Sequence, residues 1–373
     1  MKIIIHLFIV ILLVSACDDL ILGKDDSIVT LEENLQPPPA MDDGWEVSTL
    51  IAENIDPVPI HSLIERFHEN PRNVHSMLIF RNNKLVSESY FLGWHRDRLH
   101  TTRSAAKSFV STLTGIAVDQ GYFTLDESVY DFFPEYAELS SEQKRKIKIK
   151  HLLTMTPGLQ WYEDTNRGRV KPSENDQELM EVSDDRLRYF LQKEVVAEPG
   201  GKFNYNSGSP FIQAAIINKV VGMTVPEFAR KNLLEPLGID RYYWRVHEDG
   251  IIRSAGSIHV RPRDMAKLGQ VFLDSGRWHD KQIISSEWVK QATETFIGDE
   301  LVARGYGYNW WTARHTIDDE EIRMYFAHGN GGQVILVIPS HNAVVVFTGG
   351  NFYPLNQADP YGLTVNIILP AMH

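Results

Sequence analysis

A single cysteine, Cys17, in a chain of 373 residues excludes an internal disulfide and any metal site built from several cysteines. Basic residues are also few: 37 Lys and Arg stand against 49 Asp and Glu, a net charge of −12, with no basic stripe carrying interleaved aromatics. A nucleic-acid partner is therefore not expected. Several catalytic signatures are missing. There is no Gly-x-Ser-x-Gly elbow, no Walker-type phosphate loop and no dinucleotide fingerprint between a strand and a helix. His68-Glu69 has no second histidine three residues on, so the zinc-protease helix is absent as well. What the chain does have is 43% hydrophobic residues, enough for one large core or two adjoining ones.

The N-terminus carries the most hydrophobic run. Met1-Lys2, an apolar stretch from Ile3 to Val14, and Ser15-Ala16-Cys17 together resemble a bacterial lipoprotein signal. The run is too short to span a membrane with ordinary flanks. The resemblance implies removal of residues 1–16 and a lipid on the Cys17 thiol. The mature protein would then be anchored to the membrane without crossing it, outside the cytoplasm in the bacterial envelope. Asp18 after the cysteine implies inner-membrane retention in some Gram-negative bacteria. A plain signal peptide with an incidental cysteine is the alternative.

Residues 17–57 are acidic and proline-bearing, including Gln36-Pro37-Pro38-Pro39, and read as a tether. The folded domain is expected over 58–373. Its first elements are a helix over Val58–Glu69 and two strands, Met77–Phe80 and Leu85–Phe91, turning at Asn82-Asn83. From about 125 to 245 the pattern is helical and loop-rich, with helices near Asp185–Lys193, Pro210–Val221 and Val225–Leu233. Strands return at Gln333–Ile338 and Ala343–Thr348, and Tyr361–Leu369 reads as a closing helix. This order predicts an α/β (α+β) fold: one antiparallel sheet flanked by N- and C-terminal helices, with an inserted, mostly helical lobe.

The chemistry points to Ser104-Ala105-Ala106-Lys107. A helix beginning there, with Phe109, Val110, Leu113, Ile116 and Ala117 as its inward stripe and Gly121 as its stop, puts Ser104 and Lys107 on one face. Desolvation disfavours the ammonium form of a lysine, and a neutral amine beside a hydroxyl can take its proton. The free N–H groups of a helix start can meet an oxyanion. Ser141-Glu142-Gln143-Lys144 has the same spacing but leads into the charged run Arg145–Lys150, which reads as solvated surface.

Further segments appear in a fixed order along the chain: Ile149-Lys150-His151-Leu152-Leu153-Thr154-Met155-Thr156-Pro157-Gly158-Leu159, Glu198-Pro199-Gly200-Gly201-Lys202-Phe203-Asn204-Tyr205-Asn206-Ser207, and Arg261-Pro262-Arg263-Asp264-Met265-Ala266-Lys267-Leu268-Gly269. Tyr306-Gly307-Tyr308-Asn309-Trp310-Trp311 and Ala327-His328-Gly329-Asn330-Gly331-Gly332-Gln333 complete the series. Together they resemble the penicillin-recognising serine hydrolases, in the branch of class C β-lactamases, D-Ala-D-Ala carboxypeptidases and esterases, and most closely the 6-aminohexanoate-dimer hydrolase type. The resemblance covers about residues 60–373. It implies Ser104 as nucleophile, Lys107 as its activating amine, Tyr205 as the coupled phenol, and the N–H groups of Ser104 and Asn330 as the oxyanion site. Which of Lys107 and Tyr205 deprotonates Ser104 stays open.

Two departures from that family bear on the substrate. Ser207 replaces the usual asparagine of the second motif, and a hydroxyl cannot offer an amide's donor and acceptor at the same reach. Ala327 replaces the cation that opens the third motif, so a carboxylate beside the scissile bond lacks its partner. His328 either compensates or, on an edge strand where alternate residues face opposite sides, points away. Gly329 permits close approach of the strand to substrate. Trp161, Tyr162, Trp310 and Trp311 line an apolar pocket or, for at least two of them, pack in the core. The reading is an acyl-enzyme serine hydrolase for small amides or short-chain esters, needing no metal or cofactor. D,D-peptidase or β-lactamase activity, or a binding protein that keeps the fold, are the alternatives.

Overall fold

The structure, a computed structural model, describes residues 35–163, 171–253, 258–299, 304–317, 319–352 and 358–373. After a two-residue strand, β1 (Glu46–Val47), helix α1 spans Pro57–Glu69. Its start is fixed by Asp56, whose carboxylate accepts the Val58 N–H at 2.9 Å, and by Pro57 in the first turn, where no N–H is needed. Strands β2 (Val74–Arg81) and β3 (Lys84–Tyr90) form a hairpin. Asn82 and Asn83 both take left-handed φ, 53° and 63°, as a tight two-residue turn requires. Strand β4 (His100–Thr101) then leads into a short 3-10 turn, Arg103–Ala105, and helix α2 (Ala106–Asp119).

The helical lobe follows, with helix α3 (Gly208–Val221) as its centre and shorter helices at Ile149–Leu153, Asp176–Glu181, Arg186–Leu191 and Val225–Ala229. Strands β5 (Tyr242–Trp244) and β6 (Ile258–Val260) join β4 in a small sheet. Helix α4 (Pro262–Leu273) and the ribbon β7 (Arg277–Trp278) and β8 (Lys281–Gln282) return the chain to the main sheet. That sheet is completed by β9 (Ile297–Asp299), β10 (Arg304–Tyr306), β11 (Trp311–Ile317), β12 (Glu320–Gly329), β13 (Gln333–Ile338) and β14 (Ala343–Gly349). Its order is β1-β3-β2-β14-β13-β12-β11-β10-β9, antiparallel throughout except for β1 against β3. The pairing of β14 with β2 brings the two ends of the domain together, as the sequence predicts.

Alternation sorts the sheet into two cores. Met77, Ile79, Met324, Phe326, Leu336, Val345 and Phe347 face α1 and the C-terminal turns, where Ile60, Ile64, Phe67, Val365 and Ile368 cover them. Leu78, Phe80, Tyr325, Ala327, Ile335, Val344 and Val346 face α4 and the helical lobe.

Three expectations change. The segment from Pro38 to Asp56 is not a free tether: Trp45 packs on Phe80 and Trp278, β1 pairs with β3, and the buried Arg263 guanidinium holds Asp43 at 3.0 Å and the Pro39 carbonyl at 2.9 Å. Helix α2 is buried on every side from Ala106 to Ala117 rather than along one stripe, because it is wedged between sheet and lobe. Three of its buried hydroxyls donate to backbone carbonyls: Thr112 to that of Ser108, Thr114 to that of Val110, and Ser108, across to the sheet side, to that of Asn309. Strands β9 to β12, which the sequence reading passed over, make nearly half of the sheet. Cys17 and the signal-like segment lie outside the described residues.

Candidate active site

Ser104 sits in the 3-10 turn one residue after Arg103, whose backbone takes a left-handed φ of 48°. That bend ends β4 and directs the chain into α2. Lys107, one turn on and only 1% exposed, places its amine 3.1 Å from Ser104 Oγ, within reach for proton transfer. Ser104 itself is half-buried. The decoy has the opposite geometry. Ser141 is exposed, its hydroxyl accepts the Lys144 backbone N–H at 3.2 Å, and the Lys144 amine turns away to the Leu191 carbonyl.

Tyr205 arrives from the loop before α3. Its ring lies over the Lys107 amine, 4.9 Å from nitrogen to centroid, so the three predicted catalytic side chains meet. The ring is held by Trp311, stacked at 6.0 Å, and by Tyr306, edge-on at 6.5 Å. Tyr306 is buried, and burial pushes its phenol well above the usual range, with the nearby Tyr205 and Glu163 adding to the shift.

Glu163 is the residue that sequence reasoning missed. One carboxylate oxygen accepts the Ser207 hydroxyl at 2.5 Å; the other accepts the Ser207 N–H at 2.7 Å and the Trp161 indole N–H at 2.8 Å. The carboxylate therefore ties the Trp161 loop to the turn that carries Tyr205. No motif spacing marks Glu163, because its partner is 44 residues away. Ser207 is fully buried and its donors are committed to Glu163, so it fixes the turn rather than facing a substrate. Trp161 is likewise a buried strut, packed on Tyr189 and Phe190. Trp310 packs on Phe272 and Tyr325 in the core, Tyr162 is exposed, and Trp311 alone of the four aromatics stacks on the Tyr205 ring.

The end of β12 forms the far wall. A Cβ added at Gly329 would lie 2.3 Å from the Thr102 carbonyl oxygen and 3.1 Å from the Ala105 nitrogen, so this strand rests directly on the backbone of the Ser104 turn. Only glycine allows that approach. Asn330 is the next residue, in a turn completed by Gly331 and Gly332, both at φ 92°. Strand β12 is interior to the sheet, which corrects the edge-strand expectation, but β11 pairs only as far as Trp311 with Phe326 while β13 continues to Gly329. Residues 327–329 thus keep one open edge. Ala327 faces the Ser104 side and is buried; His328 faces the other side of the sheet, where Asp359 and Arg304 are its charged neighbours. His328 does not stand in for the missing cation.

Comparison with known proteins agrees with this geometry. Residues 63–361 match the Beta-lactamase family model. The chain is 23% identical over 255 residues to the 6-aminohexanoate-dimer hydrolase of Paenarthrobacter ureafaciens, a match spanning 63% of each protein. A Bacillus anthracis structure provisionally assigned as a 6-aminohexanoate-dimer hydrolase superposes with a TM-score of 0.69 at 19% identity, covering 93% of this chain and 92% of that one. EstCE1, a hydrolase with promiscuous acyltransferase activity, superposes at 0.68 with 14% identity, covering 86% and 99%. The chain has the fold of these neighbours and belongs to the Beta-lactamase family of hydrolases.

Proposed function

We propose that this protein is a serine hydrolase that forms an acyl-enzyme on Ser104 and acts on small amides or short-chain esters. The observation that carries the reading is the convergence of the Lys107 amine, 3.1 Å from Ser104 Oγ, with the Tyr205 ring above it. Ser104 Oγ bonds to the substrate carbonyl carbon and passes its proton to the Lys107/Tyr205 pair, which returns it to the departing amine or alcohol. The N–H groups of Ser104 and Asn330 receive the oxyanion. Water then repeats the attack, and the carboxylic acid leaves. With Ala327 at the third-motif position, β-lactams and D-Ala-D-Ala ends lack a cation beside the scissile bond, which favours other amides and esters.

The test is a panel of nitrophenyl esters, linear amide dimers, D-Ala-D-Ala peptides and a chromogenic cephalosporin, run with the wild type and Ser104→Ala. Ser104-dependent turnover of esters or linear amides above that of the cephalosporin is expected. A cephalosporin turned over faster than every ester and amide overturns the substrate assignment. A fluorophosphonate probe should label Ser104 and not Ser141; labelling that survives Ser104→Ala refutes the nucleophile.

The same proposal places the domain outside the cytoplasm, held to the membrane by lipid on Cys17, because the apolar run ends at Ser15-Ala16-Cys17. Cys17→Ser should release the protein from the membrane fraction or leave its N-terminus unprocessed. Unchanged membrane association with a processed N-terminus is the contrary result.

A further inference from the structure

In a chain of net charge −12, the strand that delivers the nucleophile is flanked by positive charge. Arg98 and Arg103 bracket β4, and both side chains are exposed. Each sits over an aromatic ring: the Arg98 guanidinium carbon is 3.9 Å from the Trp94 centroid, and that of Arg103 is 4.5 Å from the Phe352 centroid. Neither has an ion-pair partner among the described residues. The carboxylates nearest in sequence are engaged elsewhere, Glu88 by Arg263 and Arg96, and Asp97 by Arg241 at 3.8 Å. Both arginines act on the same imidazole, His100, and help to depress its pKa, so their fields overlap at β4.

The position of Arg103 ties this charge to the site. Its Cβ is 2.9 Å from where a Gly329 Cβ would be, and its platform Phe352 is 2.5 Å from where a Gly331 Cβ would be. The guanidinium, seated over Phe352, therefore lies beside the Gly329–Gly331 turn, next in the chain to Ser104. A guanidinium stacked on a ring has already lost part of its freedom, and its unpaired N–H fork suits the two oxygens of a carboxylate.

We infer that Arg103, with Arg98 at the other end of β4, binds a free carboxylate that the substrate carries at some bonds' remove from the scissile carbonyl. The substrates are then half-acids: esters or amides that also bear one carboxylate. This rests on the serine-hydrolase reading above. It supplies, on the Phe352 side, the charge that Ala327 cannot supply beside the scissile bond.

Two matched pairs test it: 4-nitrophenyl hydrogen glutarate against its methyl ester, with the charge on the acyl side, and 4-(butyryloxy)benzoate against its methyl ester, with the charge on the leaving group. The quantity read is the acid-to-ester ratio of kcat/KM. In at least one pair, Arg103→Gln should lower that ratio about tenfold, Arg98→Gln should lower it less, and Arg103→Lys should restore part of it. The same pairs titrated calorimetrically into Ser104→Ala read the contact without turnover, so failure of the hydrolase reading is seen separately from failure of this one. Ratios in both pairs that ignore Arg103→Gln, or an equal fall for acid and ester, overturn the inference.

Discussion

The hydroxyl and the backbone N–H of Ser207 both donate to the carboxylate of Glu163, at 2.5 and 2.7 Å, and through that clamp the loop at Trp161 holds the turn that presents Tyr205. Glu163→Gln leaves one oxygen where two are needed. A hydrogen bond to a charged group contributes about 1.5–3 kcal/mol, so a lower Tm is expected, and a loosened Tyr205 turn should lower kcat by roughly tenfold with less effect on KM. Ser207→Ala removes one of the two bonds and should fall between. Thermal melts and steady-state kinetics on both variants check this; normal kcat in Glu163→Gln would separate the clamp from catalysis.

Lys107 and Tyr205 act as one proton-handling unit in the proposed chemistry. Lys107→Ala and Tyr205→Phe should each reduce turnover by at least ~10²–10⁴-fold, and the double variant should cost little more than the worse single one. Pre-steady-state acylation of a nitrophenyl ester measures the step directly. Additive losses would mean that the two side chains serve separate steps.

Gly329→Ala introduces a methyl 2.3 Å from the Thr102 carbonyl, with backbone on both sides and no flexible side chain to yield. The turn at Ser104 must move away. Activity should fall by about 10²-fold or more, since small displacements at reacting atoms carry costs of that order. The sheet should survive, because β12 is paired on both sides up to Phe326. Circular dichroism alongside kinetics distinguishes local displacement from unfolding.

Three histidines make stability fall in mild acid. His75 donates from Nδ1 to His100 Nε2 at 2.8 Å, because His100 Nδ1 is committed to the Thr101 carbonyl. His151 Nδ1 accepts the Lys148 N–H at 3.2 Å. All three imidazoles are held down to about 4, burial being the first cause in each, followed by a histidine or lysine neighbour for His75 and His151. Below the unfolded value near 6.5 the unfolded chain therefore binds more protons than the folded one. Stability should be flat above about pH 7 and decline as pH drops from about 6.5 towards 4. Tm measured across that range checks the sign, and a His75→Phe/His100→Leu pair should flatten part of the slope.

Much of this protein is legible in the order of its residues. Local rules place α1, with Asp56 and Pro57 at its start, and the β2–β3 hairpin, because an Asn-Asn turn admits left-handed backbone. The i, i+3 spacing of Ser104 and Lys107 puts them on one face wherever a helical turn forms, and the motif series singles out Tyr205, whose ring lies over the Lys107 amine. Tertiary structure decided the rest, since it depends on groups far apart in sequence. The burial of α2 on all sides, the docking of Asp43 and Trp45 by Arg263 and Phe80, and the Glu163–Ser207 clamp each join segments that no local pattern relates. Strands β9 to β11 carry little periodic signal, and they form because the edge of β12 offers them unpaired backbone. The face on which His328 lies was fixed only by register: a period of two means that Ala327, pointing to Ser104, must send its neighbour to the other side.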